Sequence, residues 1–374
     1  MLDPLIEMIQ KMFRAIGSAI KGFILLLLSP FIWVRNLYRR SGWILKVLIV
    51  ILLLCVIVPY SYFIWNATWV RDYNPNYTDK FNFAALDVSA GEEVRADGGT
   101  ETAKTCVRSG IVDVASELLD FNVNQNVWMS ATLPYKLGLF GISWDATPWM
   151  DNKATFQRGV HRAIRSTAIE LQEALGRTRG TSQRDSNLNT ALGLLQISEY
   201  NWYVGLNPPG VKQTSWASYR NAIKEFNAYN TNLEACRASF DARADNLSGL
   251  MDRIAKDIGS TTAVIKRRAE SHNGGWFDTR ADNIFMEAHG QLYGYLGILR
   301  AARYDFQDII EKRALASLWD NMISQLESAV AISPLIISNG KEDGFIMPTH
   351  LTTMGFYILR VRTNLTEMRD VLKN

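Results

Sequence analysis

The chain's capacity for metal or acid–base chemistry is bounded by four histidines, His161, His272, His289 and His350. No two stand four apart, so no helix face pairs imidazoles around a zinc ion, and the Glu-x-x-His spacing of a bundle metal site is missing too. Glu287 and His289 are two apart and face different sides of a helix. The sequence has no glycine-rich loop with Lys and Ser/Thr to cradle a phosphate, and no Gly-x-Ser-x-Gly elbow. Asn339-Gly-Lys-Glu-Asp343-Gly344 has the turn glycine of a calcium loop. Lys341 occupies a ligand position there, however, and His350 stands where a bidentate Glu belongs. No cofactor is expected. Asp185, Glu199, Asp282 and Asp343 remain as acidic groups for a hydrolytic reaction. His161 lies in Arg158-Gly-Val-His-Arg-Ala-Ile-Arg165, a basic helix face that suits solvent or an anionic partner.

Gly193-Leu-Leu-Gln-Ile197 is similar to the Gly-Leu-Met-Gln stretch of lytic transglycosylases, which cleave peptidoglycan strands. Asp185-Ser186 stands where that family carries its catalytic Glu-Ser, and the intervening segment is shorter. Asp is one carbon shorter than Glu, so a general acid placed against the glycosidic oxygen would fall out of reach. That chemistry is not expected.

The elements that must position these groups are helical. Val107, Ile111, Val114, Leu118 and Phe121 step by four and three, as do Phe156, Val160, Ile164, Leu171 and Leu175. A short helix is expected over 188–198. A long one follows, capped by Ser215 and running through Phe226, Leu233, Phe240 and Leu247 to Ile258. Three more cover 281–303, 314–330 and 350–372. Gly290-x-x-x-Gly294-x-x-Gly297 should let two of these helices approach closely. No alternating strand set appears, beyond a short strand around 83–88. Two loops are rich enough to bind a partner, 128–149 and 334–350, although both suit folding back over the bundle. They supply the candidate partner-binding residues Trp144, Trp149, Asn339, Asp343 and His350. Pro148 stiffens the turn between the two tryptophans, of which one is expected exposed and one buried.

One segment outweighs the rest. Val47 to Val70 contains no charged residue, and about 20 apolar residues in a helix suffice to cross a bilayer. Trp43 at one end and Tyr60, Tyr62, Trp65 and Trp69 at the other match interfacial aromatic belts. Seven of the chain's 40 basic residues precede Val47, against two of its 37 acidic ones. Positive flanks stay inside, so an uncleaved signal anchor is expected, with the N-terminus cytoplasmic. The remainder is close to neutral and carries no electrostatic footprint for nucleic acid. Before the anchor, Leu5 to Ile20 alternates apolar and basic residues at helical spacing, suiting a helix in the headgroup region. Residues 22–34 are apolar but broken by Pro30; they either lie at the interface or form a first span. The expected organisation is an interfacial segment 1–40, a transmembrane helix 43–69, a juxtamembrane linker 70–99 and an α-helical domain 100–374. Cys55 falls in the span, while Cys106 and Cys236 both fall outside it and are free to pair in an oxidising compartment.

The Asp278-Thr-Arg-Ala-Asp282-Asn-Ile-Phe285 start, the Asn339–Gly344 loop, Pro348-Thr-His-Leu351 and Gly355-Phe-Tyr-Ile-Leu-Arg360 carry a resemblance over most of the chain. It resembles an uncharacterised group of mostly proteobacterial inner-membrane proteins known only as a domain of unknown function. The resemblance implies a bacterial periplasmic domain and no known activity. Together these observations predict an all-α protein: a single transmembrane helix followed by a large periplasmic helical bundle with long loops. Its expected partners are the lipid bilayer and other envelope proteins, and its expected role is that of a non-enzymatic scaffold subunit. An envelope enzyme acting on peptidoglycan or lipid, or a binder of an apolar ligand, is the alternative.

Overall fold

The structure is a computed structural model that describes residues 3–83, 88–93, 105–139, 141–147, 149–177, 184–206, 209–272, 275, 278–334, 336–341 and 349–373. It divides into two compact units, Met1–Tyr62 and Phe63–Asn374.

The first unit holds α1 (Asp3–Arg40) and most of α2 (Trp43–Ala67). Pro30 does not end α1 but bends it, by 43° between Lys11–Leu26 and Leu28–Arg40. A proline clashes with the carbonyl four residues back and gives it no donor. Here that carbonyl is Leu26 O, which takes the Ser29 hydroxyl at 2.8 Å instead. Among the described residues α2 is long and apolar enough to cross a membrane, and α1 adds a second such segment if its halves act as one span. The apolar side chains of α2 are almost all exposed, as suits a helix whose solvent is lipid.

Among the described residues the second unit is all-α apart from a two-stranded ribbon. Its helices are α3 (Gly110–Asp120), α4 (Leu133–Leu137), α5 (Asn152–Glu170), α6 (Ser186–Leu195), α7 (Ser215–Glu234), α8 (Ala244–Ser271), α9 (Ala281–Asp305), α10 (Gln307–Lys312), α11 (Ala316–Val330) and α12 (His350–Lys373). The ribbon pairs β1 (Val204–Leu206) with β2 (Pro209–Val211), antiparallel, Val204 opposite Val211.

The core is organised around α5 and α9, which lie parallel and unusually close. A Cβ on Gly159 would sit 2.1 Å from Glu287 O, and one on Gly290 would sit 2.1 Å from Phe156 O. The small residues therefore bring backbone against backbone, as the Gly290/Gly294 spacing predicts. Helix α9 is buried nearly all round. Its last residue, Asp305, accepts from Ser109 Oγ at 2.7 Å, Gly110 N at 2.8 Å and Ile111 N at 3.0 Å, capping the otherwise unsatisfied start of α3. Helices α8 and α12 pack antiparallel on the other side, with Gly355 against Ile265 and Arg369 bonded to Asp252 at 2.9 Å.

Three expectations change. The long fourth helix is two, α7 and α8, separated at 235–243. Cys236 takes a left-handed φ of 54° and its sulfur bonds Cys106, with the Cα atoms 5.3 Å apart. The apolar spacing runs on across the break because both helices and the buried Phe240 face one core. Thr214, not Ser215, caps α7 through its bond from Ala217 N. Residues 70–83, expected as a linker, lie against α9. Tyr73 stacks on Tyr293 at 5.1 Å, Arg300 donates to Pro75 O at 2.8 Å, and the Tyr77 hydroxyl fills the space a side chain at Gly297 would take. Of the strand expected at 83–88, residues 84–87 lie outside the described residues.

Candidate functional site

Helix α5 carries Arg158, Arg162 and Arg165 at spacings of four and three, which places them on one face. With Ser166, Ile169, Glu199, Tyr200, Asp257 and Glu287 they line an open cleft of about 530 Å³. Arg162 is neutralised: it bonds Asp257 at 2.8 Å and Glu287 at 3.4 Å. Arg158 is not. Its guanidinium donates to Tyr135 Oη at 2.9 Å, Tyr200 Oη at 3.0 Å and Thr155 Oγ1 at 3.1 Å, all neutral hydroxyls. Arg165 has no ion-pair partner among the described residues. Burial pushes the Glu199 carboxyl above its ordinary range, against the pull of Arg158 and Arg165. The cleft thus offers a fixed guanidinium fork with room beside it, an arrangement suited to a carboxylate or other planar anion.

A second polar cluster lies where α5 and α9 start. Asp151 and Asp282 are both buried, and no oxygen of either carboxylate reaches a hydrogen-bond partner among the described residues. Burial raises Asp151 to about 7, with the Asp145 charge adding to the shift and the Arg158 charge opposing it. Burial, then the charge of Asp151, raises Asp282 to about 8. Lys153, also buried with no partner for Nζ among the described residues, is lowered to about 8 by burial and by Arg71. Both helix N-termini favour negative charge, yet desolvation outweighs them, so both carboxyls are raised from the ordinary carboxylate range towards neutrality.

The residues singled out in the sequence are distributed rather than gathered. Trp144 is 2 % exposed; its ring packs on Phe63 with centroids 4.7 Å apart and its Nε1 donates to Pro134 O at 2.8 Å. It is core, not a partner surface. Trp149 is 56 % exposed, giving the expected split between the two rings. Asn339 is also withdrawn from any partner. Fully buried, it donates to Asp278 Oδ2 at 2.8 Å and to His272 O, joining the Arg268–Asp278 ion pair. Burial opposes the Asp278 charge, but Arg268 and Asn339 outweigh it and hold the carboxyl below its usual range. Asp343 lies outside the described residues. His350 opens α12, its Nδ1 accepting from Ser338 N at 3.0 Å.

His161, placed by sequence on a basic solvated face, is instead fully buried between Trp128 and Tyr219, with Nε2 3.1 Å from Leu195 O. Burial and the Arg165 charge push it down to about 3, so it stays neutral. His289 is likewise buried, 2.8 Å from Val330 O. Asp185 accepts from Asn187 N at 2.9 Å and Leu188 N at 3.0 Å as the cap of α6. That is a capping role.

Sequence reasoning missed the Asp151–Asp282 juxtaposition, although a signal was present. Asp151-Asn152-x6-Gly159 and Asp282-Asn283-x6-Gly290 repeat the same spacing. Parallel packing of Gly159 and Gly290 brings the two Asp-Asn starts level. No curated protein and no solved structure matches the chain. A family model described as an uncharacterized protein conserved in bacteria (DUF2333) matches residues 39–273 and 265–374. Since those matches span α2 and the whole bundle, the chain belongs to that family.

Proposed function

We propose that the protein is a membrane-anchored, non-enzymatic recognition subunit of a bacterial envelope complex, held by α2 with its N-terminus cytoplasmic and its bundle outside. The basic flank before Val47 supports that orientation, and so does the Cys106–Cys236 bond, which persists in oxidising compartments. The observation that carries the reading is Arg158. A guanidinium held in place by Tyr135, Tyr200 and Thr155, with no carboxylate bonded to it among the described residues, is a preformed receptor for an acidic side chain of a partner. The test is a photo-activatable amino acid at Tyr200 in the native membrane. A cross-linked partner that disappears in Arg158→Ala, while the domain's melting temperature holds, supports the reading. Equal cross-linking in that variant sinks it.

Glu199 favours a second reading, an envelope enzyme acting on peptidoglycan or lipid. A carboxyl raised by burial and set in an open cleft beside arginines has the character of a general acid. Release of soluble fragments from peptidoglycan by the purified protein, lost in Glu199→Gln, would establish it over the first.

A further inference from the structure

Two Asp-Asn pairs begin the two central helices. Asp151 caps the start of α5 and Asn152 is its first residue, while Asp282 and Asn283 lie in the first turn of α9. Asp151 is 0 % exposed and Asp282 5 %. Both carboxylate oxygens of each, and the amide oxygens of Asn152 and Asn283, are buried and meet no hydrogen-bond donor among the described residues. An aspartate at the capping position ordinarily accepts from an N–H of the first turn. Asp151 holds that position and makes no such bond.

Packing sets the two starts side by side. A Cβ on Gly294 would meet the Ala163 Cβ at 2.8 Å, and those positions are 131 residues apart. The contacts of Gly159 with Glu287 O and of Gly290 with Phe156 O straddle that offset, at 128 and 134 residues. Asp282 follows Asp151 by the same 131 residues, so the register of the crossing brings the two carboxyls level. A hydrogen bond ties the ends together as well. Asn283 Nδ2 donates to Asp145 O at 3.3 Å, joining the start of α9 to the turn that leads into α5. Six orphaned oxygens thus belong to one end of one helix pair, where buried acceptors almost always have donors.

The donor set selects the ligand class. Among the described residues no three His, Cys, Asp or Glu side chains converge as a metal centre, which sets aside ions that want nitrogen or sulfur. Carboxylate and amide oxygens suit hard divalent cations, calcium accepting about six to eight oxygens in flexible geometry. We infer that Asp151, Asn152, Asp282 and Asn283 form a buried site for a hard divalent cation of the calcium type between the starts of α5 and α9. Two carboxylates balance the double charge of the ion, so the occupied site is neutral and fit for an interior. Each helix N-terminus opposes the cation with about half a charge, less than the full charge of either carboxylate. The raised titration of the two carboxyls belongs to the cation-free protein. The bound ion would clamp α9 to α5, which carries Arg158 seven residues beyond Asp151, and so hold the cleft in shape.

The test uses the full, disulfide-bonded chain in detergent, stripped with a chelator and desalted. Calcium chloride is the probe, read by equilibrium dialysis and by the near-ultraviolet melting midpoint. One calcium per chain is expected, and at a hundredfold excess over Kd the midpoint should rise by about 5 °C. The variant Asp151→Asn, Asp282→Asn keeps the side-chain shapes and removes both charges; it should lose the bound calcium and the rise. The variant Asp72→Asn, Asp79→Asn, which alters exposed carboxylates, should keep both. A rise that survives the first variant, or disappears in the second, overturns the site in favour of surface binding. A wild-type chain with neither uptake nor rise overturns it in favour of a carboxyl pair that shares a proton. Should the first variant fail to fold, Asn152→Ala, Asn283→Ala leaves both carboxylates in place. Calcium affinity should then fall by about tenfold or more, and an unchanged affinity overturns the site.

Discussion

Replacing Gly290 by Ala should destabilise the bundle, and replacing Gly193 by Ala should stabilise it. Both are helical glycines, so each substitution gains roughly 0.5–1 kcal/mol of helix propensity. They differ in what the new methyl meets. At Gly193 in α6 nothing lies within 4 Å, so the gain is kept. At Gly290 the methyl carbon would be 2.1 Å from Phe156 O, 2.9 Å from its carbonyl carbon and 3.1 Å from its Cα. All three are backbone atoms of the facing helix, so no rotamer change relieves the clash. The α5–α9 axes must separate along their length and loosen Gly159, Val160 and Ala163 with them. Overpacking of this kind costs about 1–3 kcal/mol and more where backbone must move, which outweighs the propensity gain. At about 2 °C per kcal/mol for a domain of this size, Gly290→Ala should melt a few degrees early and Gly193→Ala about a degree or two late. Near-ultraviolet circular dichroism of the detergent-solubilised chain, disulfide intact, follows both. A Gly290→Ala protein as stable as wild type would refute the backbone-to-backbone packing of α5 on α9, and with it the level placement of Asp151 and Asp282.

That carboxyl pair makes stability fall with rising pH. Groups whose folded pKa is raised are stabilising while protonated, fully so below about pH 4, and the contribution is lost as pH rises through about 7 for Asp151 and about 8 for Asp282. Asp282→Asn should therefore gain more in urea denaturation at pH 8.5 than at pH 5, and an equal gain at both would contradict the assignment. Reducing the Cys106–Cys236 bond, which spans 130 residues, should cost up to about 5 kcal/mol by loop-closure entropy; a Cys106→Ser, Cys236→Ser protein with an unchanged denaturation midpoint would argue against it. Asp278→Ala should lose about 3–5 kcal/mol because it strands the Arg268 charge and Asn339 in the interior. The double variant Arg268→Ala, Asp278→Ala should recover part of that loss, and simple additivity would mean the two do not act as a pair.

Features that depend on local pattern are legible in the residues alone. A run without charge marks α2, 3.6-residue periodicity marks the bundle helices, and Gly290 with Gly294 marks a close crossing, because each is encoded within a few turns of one segment. Which polar and aromatic groups remain available is settled by packing between distant segments. His161 and Asn339 read as surface residues until packing buries them against Tyr219 and the Arg268–Asp278 pair. Trp144 and Trp149 have the same local chemistry, yet Phe63 takes one ring and leaves the other exposed. The break between α7 and α8 is silent in the sequence because both helices turn their apolar faces to one core. Asp151 and Asp282 become neighbours only through the register of two parallel helices more than a hundred residues apart in the chain. A desolvated carboxylate owes its properties to what surrounds it in space, and those surroundings are assembled from segments that carry no sign of one another in sequence.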